Sequence, residues 1–393
     1  MSVLTVSTSP ENSETLTLKV LDGLSLVGPR EWDRLVGDES PFLEWGWLAS
    51  LEESGCVGAR AGWRAQHLAL YAGRRLVAAC PLYLKGHSEG EFVFDYAWAS
   101  AAERAGIRYY PKLLVAVPFT PAEGVRFLVD PAFDRVSIVR TLGQVLIDLC
   151  REHGLSSVHV NFCRPEEIEA LRDLGFVERA GFQYKWRNRG YSDFDGYLAD
   201  FRAKRRNQVK RERRELEGQG VSVCAQAGDQ IPDDLFAPMF DIYLTTIEKL
   251  VWGRRYLRPK FFELLRERFR PNLCFITARR RGELLAGTFN VQKAGVFYGR
   301  YWGTFEELRH LHFNVCYYAA IEHCIRSGLT LFEPGAGGEF KMLRGFDPEP
   351  TRSAHFIAEP RLARAVERFV DAEREEIEKI IAEMRDHSQI KAT

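Results

Sequence analysis

Two stretches of this chain repeat one order of elements, and that repetition restricts the fold more than any other feature. Val136, Val139, Leu142, Val145, Leu146 and Leu149 recur at helical spacing, the pattern stops at Gly154, and residues 155–160 read as a strand. Further along, Phe313, Cys316, Tyr317, Ala320, Ile321 and Cys324 share one side of a helix that ends at Gly328, and residues 329–332 again read as a strand. Turn and strand patterns precede both helices, at residues 73–84, 112–118 and 125–129 in the first case and 282–291 and 295–302 in the second. A helix–glycine–strand step alone is a common α/β connection. Several steps in the same order point to an internal duplication, with the join near Gly190. The expected division is a flexible start over residues 1–15, α/β halves over 16–189 and 190–360, and a charged amphipathic helix with a tail over 361–393.

Composition agrees. At 393 residues the chain is long enough for two or three domains, and 46% hydrophobic with 27% charged residues is the balance of an ordinary globular protein. Net formal charge is zero, so any attraction to nucleic acid or membrane must be local. The first residues lack the basic and apolar regions of a secretory signal, and no run approaches the roughly 20 apolar residues of a membrane helix. A cytoplasmic location is therefore expected. The eight cysteines are scattered without metal-ligand spacing, and are expected to be reduced, mostly buried and free of metal.

Four segments carry candidate chemistry. Residues 201–216 hold eight cations against two acids, Glu212 and Glu215, with Phe201, Val209 and Leu216 as an apolar stripe. Asp200 is the expected N-cap and Gly218 the stop, giving a basic helix over 200–217. Such a field suits polyanions, with Arg205, Arg206, Lys210 and Arg213 as phosphate or tRNA contacts; the alternative is a solvated helix with internal ion pairs. In residues 298–302, strand alternation puts Tyr298, Arg300 and Trp302 on one face and Tyr301 on the other. Two aromatics flanking an arginine can hold a planar or anionic ligand, or can simply be a half-buried strand.

His310-Leu-His312-Phe-Asn314 precedes the second helix, where free N–H groups favour an anion. His312 reads as a general base or as a cap-region histidine. The fourth segment, Glu333-Pro-Gly-Ala-Gly-Gly-Glu339-Phe-Lys341-Met-Leu-Arg344, leaves the end of a strand, where α/β sheets bind ligands. Gly335, Gly337 and Gly338 permit close approach of backbone to a ligand. Two carboxylates, Lys341 and Arg344 can orient an amine nucleophile and hold an anionic donor.

The runs Tyr298-Gly-Arg-Tyr-Trp-Gly303, His312-Phe-x-x-Cys316-Tyr-Tyr318, Glu333-Pro-Gly-Ala-x-Gly-Glu339-x-Lys341 with Arg344-Gly345, and Pro350-Thr-x-Ser-Ala-His355 resemble the FemAB-like peptidoglycan biosynthesis/recognition proteins of the GNAT superfamily. So do Pro118-Phe-Thr-Pro121 with Gly124 and Arg126, and the basic stretch 205–214. The resemblance runs from about residue 30 to 370 and implies an α/β fold of tandem GNAT-like domains in a Fem-like arrangement. Fem-type relatives move an aminoacyl group from aminoacyl-tRNA to an amine of a cell-wall precursor, and other GNAT proteins move acetyl from acetyl-CoA. Two positions depart from the family pattern: Asn314 stands where Glu is usual, and Phe340 where His is usual.

The resemblance thus implies acyl or aminoacyl transfer to an amine of a cell-wall precursor or specialised metabolite. Aminoacyl-tRNA or acyl-CoA would be the co-substrate, with no tightly bound cofactor. Glu339, Glu333 or His312 would take the amine proton, and Lys341 would act with them. Arg300 and Arg344 would hold anionic groups, and Tyr298, Trp302, Asn314, His355 and the glycines would complete the substrate-binding set. CoA is the weaker donor, because residues 303–312 lack the [Q/R]-x-x-G-x-[G/A] turn of CoA-dependent relatives. The rival readings are a non-catalytic recognition module for a cell-wall or phosphate-bearing ligand, and an acetyl-CoA-dependent N-acetyltransferase.

Overall fold

A computed structural model describes residues 2–9, 12–249 and 254–386; the side chains of residues 2–9, 12–14 and 339 lie outside that description. The chain forms two compact units, Met1–Gly181 with Pro350–Glu378, and Phe182–Glu349 with Lys379–Thr393. The change of unit falls before the join expected near Gly190. The strand that carries His355 also goes to the first unit, because Ser353 to Ile357 pair antiparallel with Asn161 to Ser157. The helix Pro360–Asp386 follows it there as far as Glu378, burying Leu362, Val366 and Val370 with Trp98 and Tyr109. No helix among the described residues is long and apolar enough to cross a membrane.

In the first unit, strands Ser2–Ser9, Asn12–Leu21, His67–Ala72, Arg75–Cys80 and Leu128–Val129 form an antiparallel sheet. Where a flexible start is expected, the backbone pairs in a hairpin, Ser2 opposite Leu18 and Ser7 opposite Ser13. A second group of strands contains the duplicated step. The helix Arg135–Glu152 is capped by Asp134, whose carboxylate accepts the Ser137 N–H at 2.9 Å. It buries Ile138, Val139, Leu142, Val145 and Leu146 and ends where Gly154 takes a positive φ. The strand Ser157–Asn161 then lies parallel to Lys112–Val115, Val158 opposite Leu113.

The second unit repeats this plan. Strands Val221–Ala227, Leu273–Arg280, Glu283–Lys293 and Val296–Thr304 run antiparallel in sequence order. A helical crossover from Leu311 to Arg326 follows, and Leu331–Glu333 returns parallel to Val296–Thr304, with Tyr298 opposite Glu333. The helices Phe236–Lys249 and Pro259–Arg268 cover one face of the strands, Phe262 meeting Phe289 and Phe236 meeting Phe275. Gly303 lets the helix Phe236–Lys249 approach this closely: a Cβ there would lie 1.9 Å from the Ile242 carbonyl oxygen.

In each unit the carboxyl ends of the parallel pair are the natural place for a ligand crevice. The first unit fills that place with its own chain. Residues 116–122 and 124–127, which follow the strand Lys112–Val115, are buried, and the Gly124 N–H donates to the Phe162 carbonyl at 3.1 Å. The buried Arg126 guanidinium donates to the carbonyls of Ala122, Gly124, Val125 and Asn161 at 2.6–3.1 Å. The second unit leaves its crevice open.

Candidate functional site

Strand pairing in the second unit ends at Tyr298 and Glu333, but Val296–Thr304 continues while its parallel partner stops. A cavity of about 260 Å³ opens in the split. Thr288, Asn290 and Trp302 form one wall, His312, Cys316 and Tyr317 a second, and Gly337, Gly338, Phe340 and Lys341 a third, with Arg300 at the strand edge.

A bulge decides which strand residues reach it. Tyr301 pairs with Phe289 and Gly299 with Asn290, so Arg300 is an extra residue without a cross-strand partner. The expected alternation therefore breaks at Arg300. Trp302 shares a face with its partner Thr288 and with Asn290, while Tyr298 falls on the opposite face with Tyr301. Tyr298 is not a wall of the cavity; Tyr301, further along the strand, does reach its lining and packs at 4.9 Å against Tyr243 of the helix Phe236–Lys249. Asn290 is fixed by donating to the Cys274 carbonyl at 3.0 Å and to Thr288 Oγ1 at 2.9 Å.

The second wall contains a π-turn, Asn314–Tyr318, within the crossover helix. The extra residue per turn directs Cys316 and Tyr317 into the cavity, a distortion common at functional sites. His312 packs 5.1 Å from Trp302 and 5.4 Å from Tyr317. Burial, with the nearby Arg344 and Lys341 charges, lowers its pKa to about 4, so the imidazole is neutral at pH 7. Burial likewise raises the Cys316 thiol, opposed by the Lys341 charge.

The third wall depends on glycine. Gly335, Gly337 and Gly338 all have positive φ, and the loop they form leads into a 3₁₀ turn, Glu339–Arg344. Lys341 on that turn is 3% exposed and donates to the Gly335 carbonyl at 2.6 Å. Burial lowers its pKa to about 8.

Several expected site residues have other work. Glu333 is buried beside Lys185 at 3.6 Å and is not a cavity wall. Gly335 contributes only its carbonyl, to Lys341. Arg344 is 1% exposed; it donates to the Phe340 carbonyl at 2.8 Å and lies 3.5 Å from the centre of the Phe313 ring. Asn314 donates to the carbonyls of Glu212 and His310, which leaves it inside the packing. His355 belongs to the first unit, where its Nδ1 meets His159 Nδ1 at 2.7 Å and its Nε2 meets Ser353 Oγ at 2.8 Å. The Glu339 side chain lies outside the described residues.

The basic helix spans Ala203–Gly218, with Arg202 rather than Asp200 as its N-cap. Asp200 instead ends the preceding helix Phe194–Ala199 and accepts from the Tyr191 hydroxyl at 2.6 Å. Of the four expected phosphate contacts, Arg205 is buried and donates to the Leu343 carbonyl at 2.7 Å. Lys210 pairs with Asp195 at 2.8 Å and Arg213 with Glu322 at 2.9 Å; Arg206 is half-buried. The neutralising acids come from other elements, so the helix sequence alone overstates its free charge. At the crossover start, Glu215 meets His310 at 3.0 Å and Arg309 at 3.5 Å, so a carboxylate already occupies the place where an anion is expected.

Sequence reading missed Thr288, Asn290, Cys316 and Tyr317. A signal for the first two exists: Thr288, Asn290 and Gln292 put polar groups at period two in an otherwise apolar strand.

No curated protein matches the chain. Among solved structures, FemX is similar with a TM-score of 0.52 at 11% identity, covering 87% of this chain and 98% of that one. L-PGS from Bacillus licheniformis gives a TM-score of 0.48 at 11% identity, with coverage of 82% and 95%. A tandem GNAT protein from the clavulanic acid biosynthesis pathway gives 0.46 at 15% identity, with coverage of 88% and 99%. The sequence matches the FemAB-like family, described as peptidoglycan biosynthesis/recognition, over residues 23–392. With a match across nearly its whole length, the chain belongs to the FemAB-like family.

Proposed function

We propose that the second-unit cavity transfers an acyl group from an activated ester or thioester to an amine. The leading donor is an aminoacyl-tRNA, and the acceptor an amine of a cell-wall precursor or specialised metabolite. Lys341 carries this reading: a buried ammonium pinned on the Gly335 carbonyl, within electrostatic reach of a neutral His312. The family description supports the cell-wall direction.

The amine nitrogen attacks the acyl carbon, and charge moves to the carbonyl oxygen. An ammonium in a site of low dielectric stabilises that oxygen strongly. The nitrogen passes its proton to His312, which returns it to the leaving oxygen or sulfur as the acyl bond breaks. Glu339 is the second candidate for this proton. Glu215 beside His310 and Arg309 disfavours a CoA diphosphate at the crossover start, which supports tRNA over CoA as donor.

Purified protein, given labelled aminoacyl-tRNA or acyl-CoA with a panel of amines that includes a peptidoglycan precursor, is expected to form an amide from at least one donor. Lys341→Met is expected to slow transfer by about 100-fold or more. Failure to discharge either donor, by protein that still binds ligand in the cavity, would establish recognition without catalysis.

A further inference from the structure

Residues 254–260, Arg-Arg-Tyr-Leu-Arg-Pro-Lys, place four cations and no acid in seven positions of a chain with zero net charge. Arg254, Arg255, Arg258 and Lys260 are all exposed. The middle of the segment is anchored. Leu257 is 1% exposed, and the Tyr243 phenol oxygen accepts the N–H groups of Tyr256 at 3.0 Å and Leu257 at 3.2 Å. The Arg255 guanidinium lies 5.2 Å from the Phe240 ring on the same helix.

This anchor touches the candidate site. The Tyr243 ring packs edge-on against Tyr301, and Tyr301 belongs to the cavity lining. Two aromatic rings, Tyr243 and Tyr301, therefore separate this cationic segment from the cavity. Tyr301 faces away from Trp302 across the strand, so the segment approaches the split from the side opposite His312. On the basic helix Arg205 is engaged by a carbonyl, and Lys210 and Arg213 by carboxylates.

We infer that residues 254–260 bind the phosphate groups of a substrate whose reactive end enters the cavity. Guanidinium forks match phosphate oxygens in pairs, and several cations held in one extended segment can follow a run of phosphates. The role given to the reactive end rests on the acyl-transfer reading; phosphate binding itself does not. A tRNA donor, CoA and a nucleoside-diphosphate precursor all present this chemistry.

The test compares an Arg255→Gln/Arg258→Gln variant with an Arg211→Gln/Arg214→Gln control on the basic helix. Thermal melts check that both stay folded. Deacylated tRNA is titrated by fluorescence anisotropy, and CoA and UDP by calorimetry, between about 50 and 200 mM salt. Wild type should bind at least one probe. The 255/258 variant should bind it roughly tenfold more weakly with a salt slope smaller by about two, while the control changes less than about twofold. Wild type that binds none of the three, or a 255/258 variant that binds like wild type, overturns the inference. Loss of binding in that variant, with no acyl transfer by wild type, keeps the phosphate site and removes the acyl-transfer reading. Transfer and binding that both persist unchanged in the variant do the reverse.

Discussion

Lys341 and His312 are both shifted by burial, and each shift leaves the form its role requires. In the proposed reaction the charged form of Lys341 stabilises an oxyanion, so activity should be lost as pH rises through about 8. The neutral form of His312 accepts a proton, so activity should be lost as pH falls through about 4. A pH profile of kcat/KM should therefore show a plateau between these limits. Lys341→Arg should move the alkaline limb above pH 10, since a guanidinium stays charged; a limb that stays near 8 would assign it to another group. Both residues line the cavity, and both stand out in the sequence because each sits in a short local motif. The roles of Tyr298 and Arg344 were not readable there. Tyr298 was displaced by a bulge one strand pairing away, and Arg344 was drawn inward by Phe313, thirty-one positions earlier.

Among the elements, the basic helix changes most in meaning. Its inner face secures the turn that carries Phe340 and Lys341. Arg205 holds the Leu343 carbonyl, and Glu212, 1% exposed, receives the Tyr318 hydroxyl and lies 3.5 Å from Arg344. The Tyr197 hydroxyl holds the Arg344 carbonyl at 2.9 Å. Arg205→Ala should cost about 1–3 kcal/mol in a denaturant melt, because it leaves a buried carbonyl unpaired. Lys210→Ala, which removes only an exposed ion pair, should stay within about 0.5 kcal/mol. Equal effects would contradict the strut. A second element test is Gly303→Ala. Its methyl would strike the Ile242 carbonyl, so the helix Phe236–Lys249 must shift, and a loss of about 1–3 kcal/mol is expected from the same melt.

For the whole molecule, the duplicated step yields one open crevice and one filled by chain. A titration with whichever acyl donor the protein uses should therefore saturate at one equivalent per chain. The first unit also holds a polar core with a pH signature. Burial keeps His355 neutral and lowers His159 to about 3, from an ordinary value of 6.5. On unfolding both imidazoles regain their ordinary proton affinity, so the stability they permit above 6.5 is lost as pH falls below it. Glu91, raised to about 7 by burial, acts the other way between 7 and its ordinary 4.5. His312 and His323, lowered to about 4, act with the two imidazoles, and Glu167 and Asp347, raised by burial, act with Glu91. Four imidazoles face three carboxylates, so the melting temperature should fall between pH 7 and pH 5; a rise would show that the carboxylates dominate.

The sequence by itself determined the repeated helix–glycine–strand step, the family, and a glycine-rich turn bearing Lys341. All three depend on residues near one another in the chain, where spacing and backbone preference suffice. Only the tertiary structure decided which charges are free, which strand face looks into the cavity and which crevice is open. Those outcomes depend on partners far along the chain: Asp195 and Glu322 for the basic helix, Phe289 and Asn290 for the bulge, and Arg126 with Asn161 for the filled crevice. A side chain's charge and shape are local, but what neutralises or covers it is set by packing.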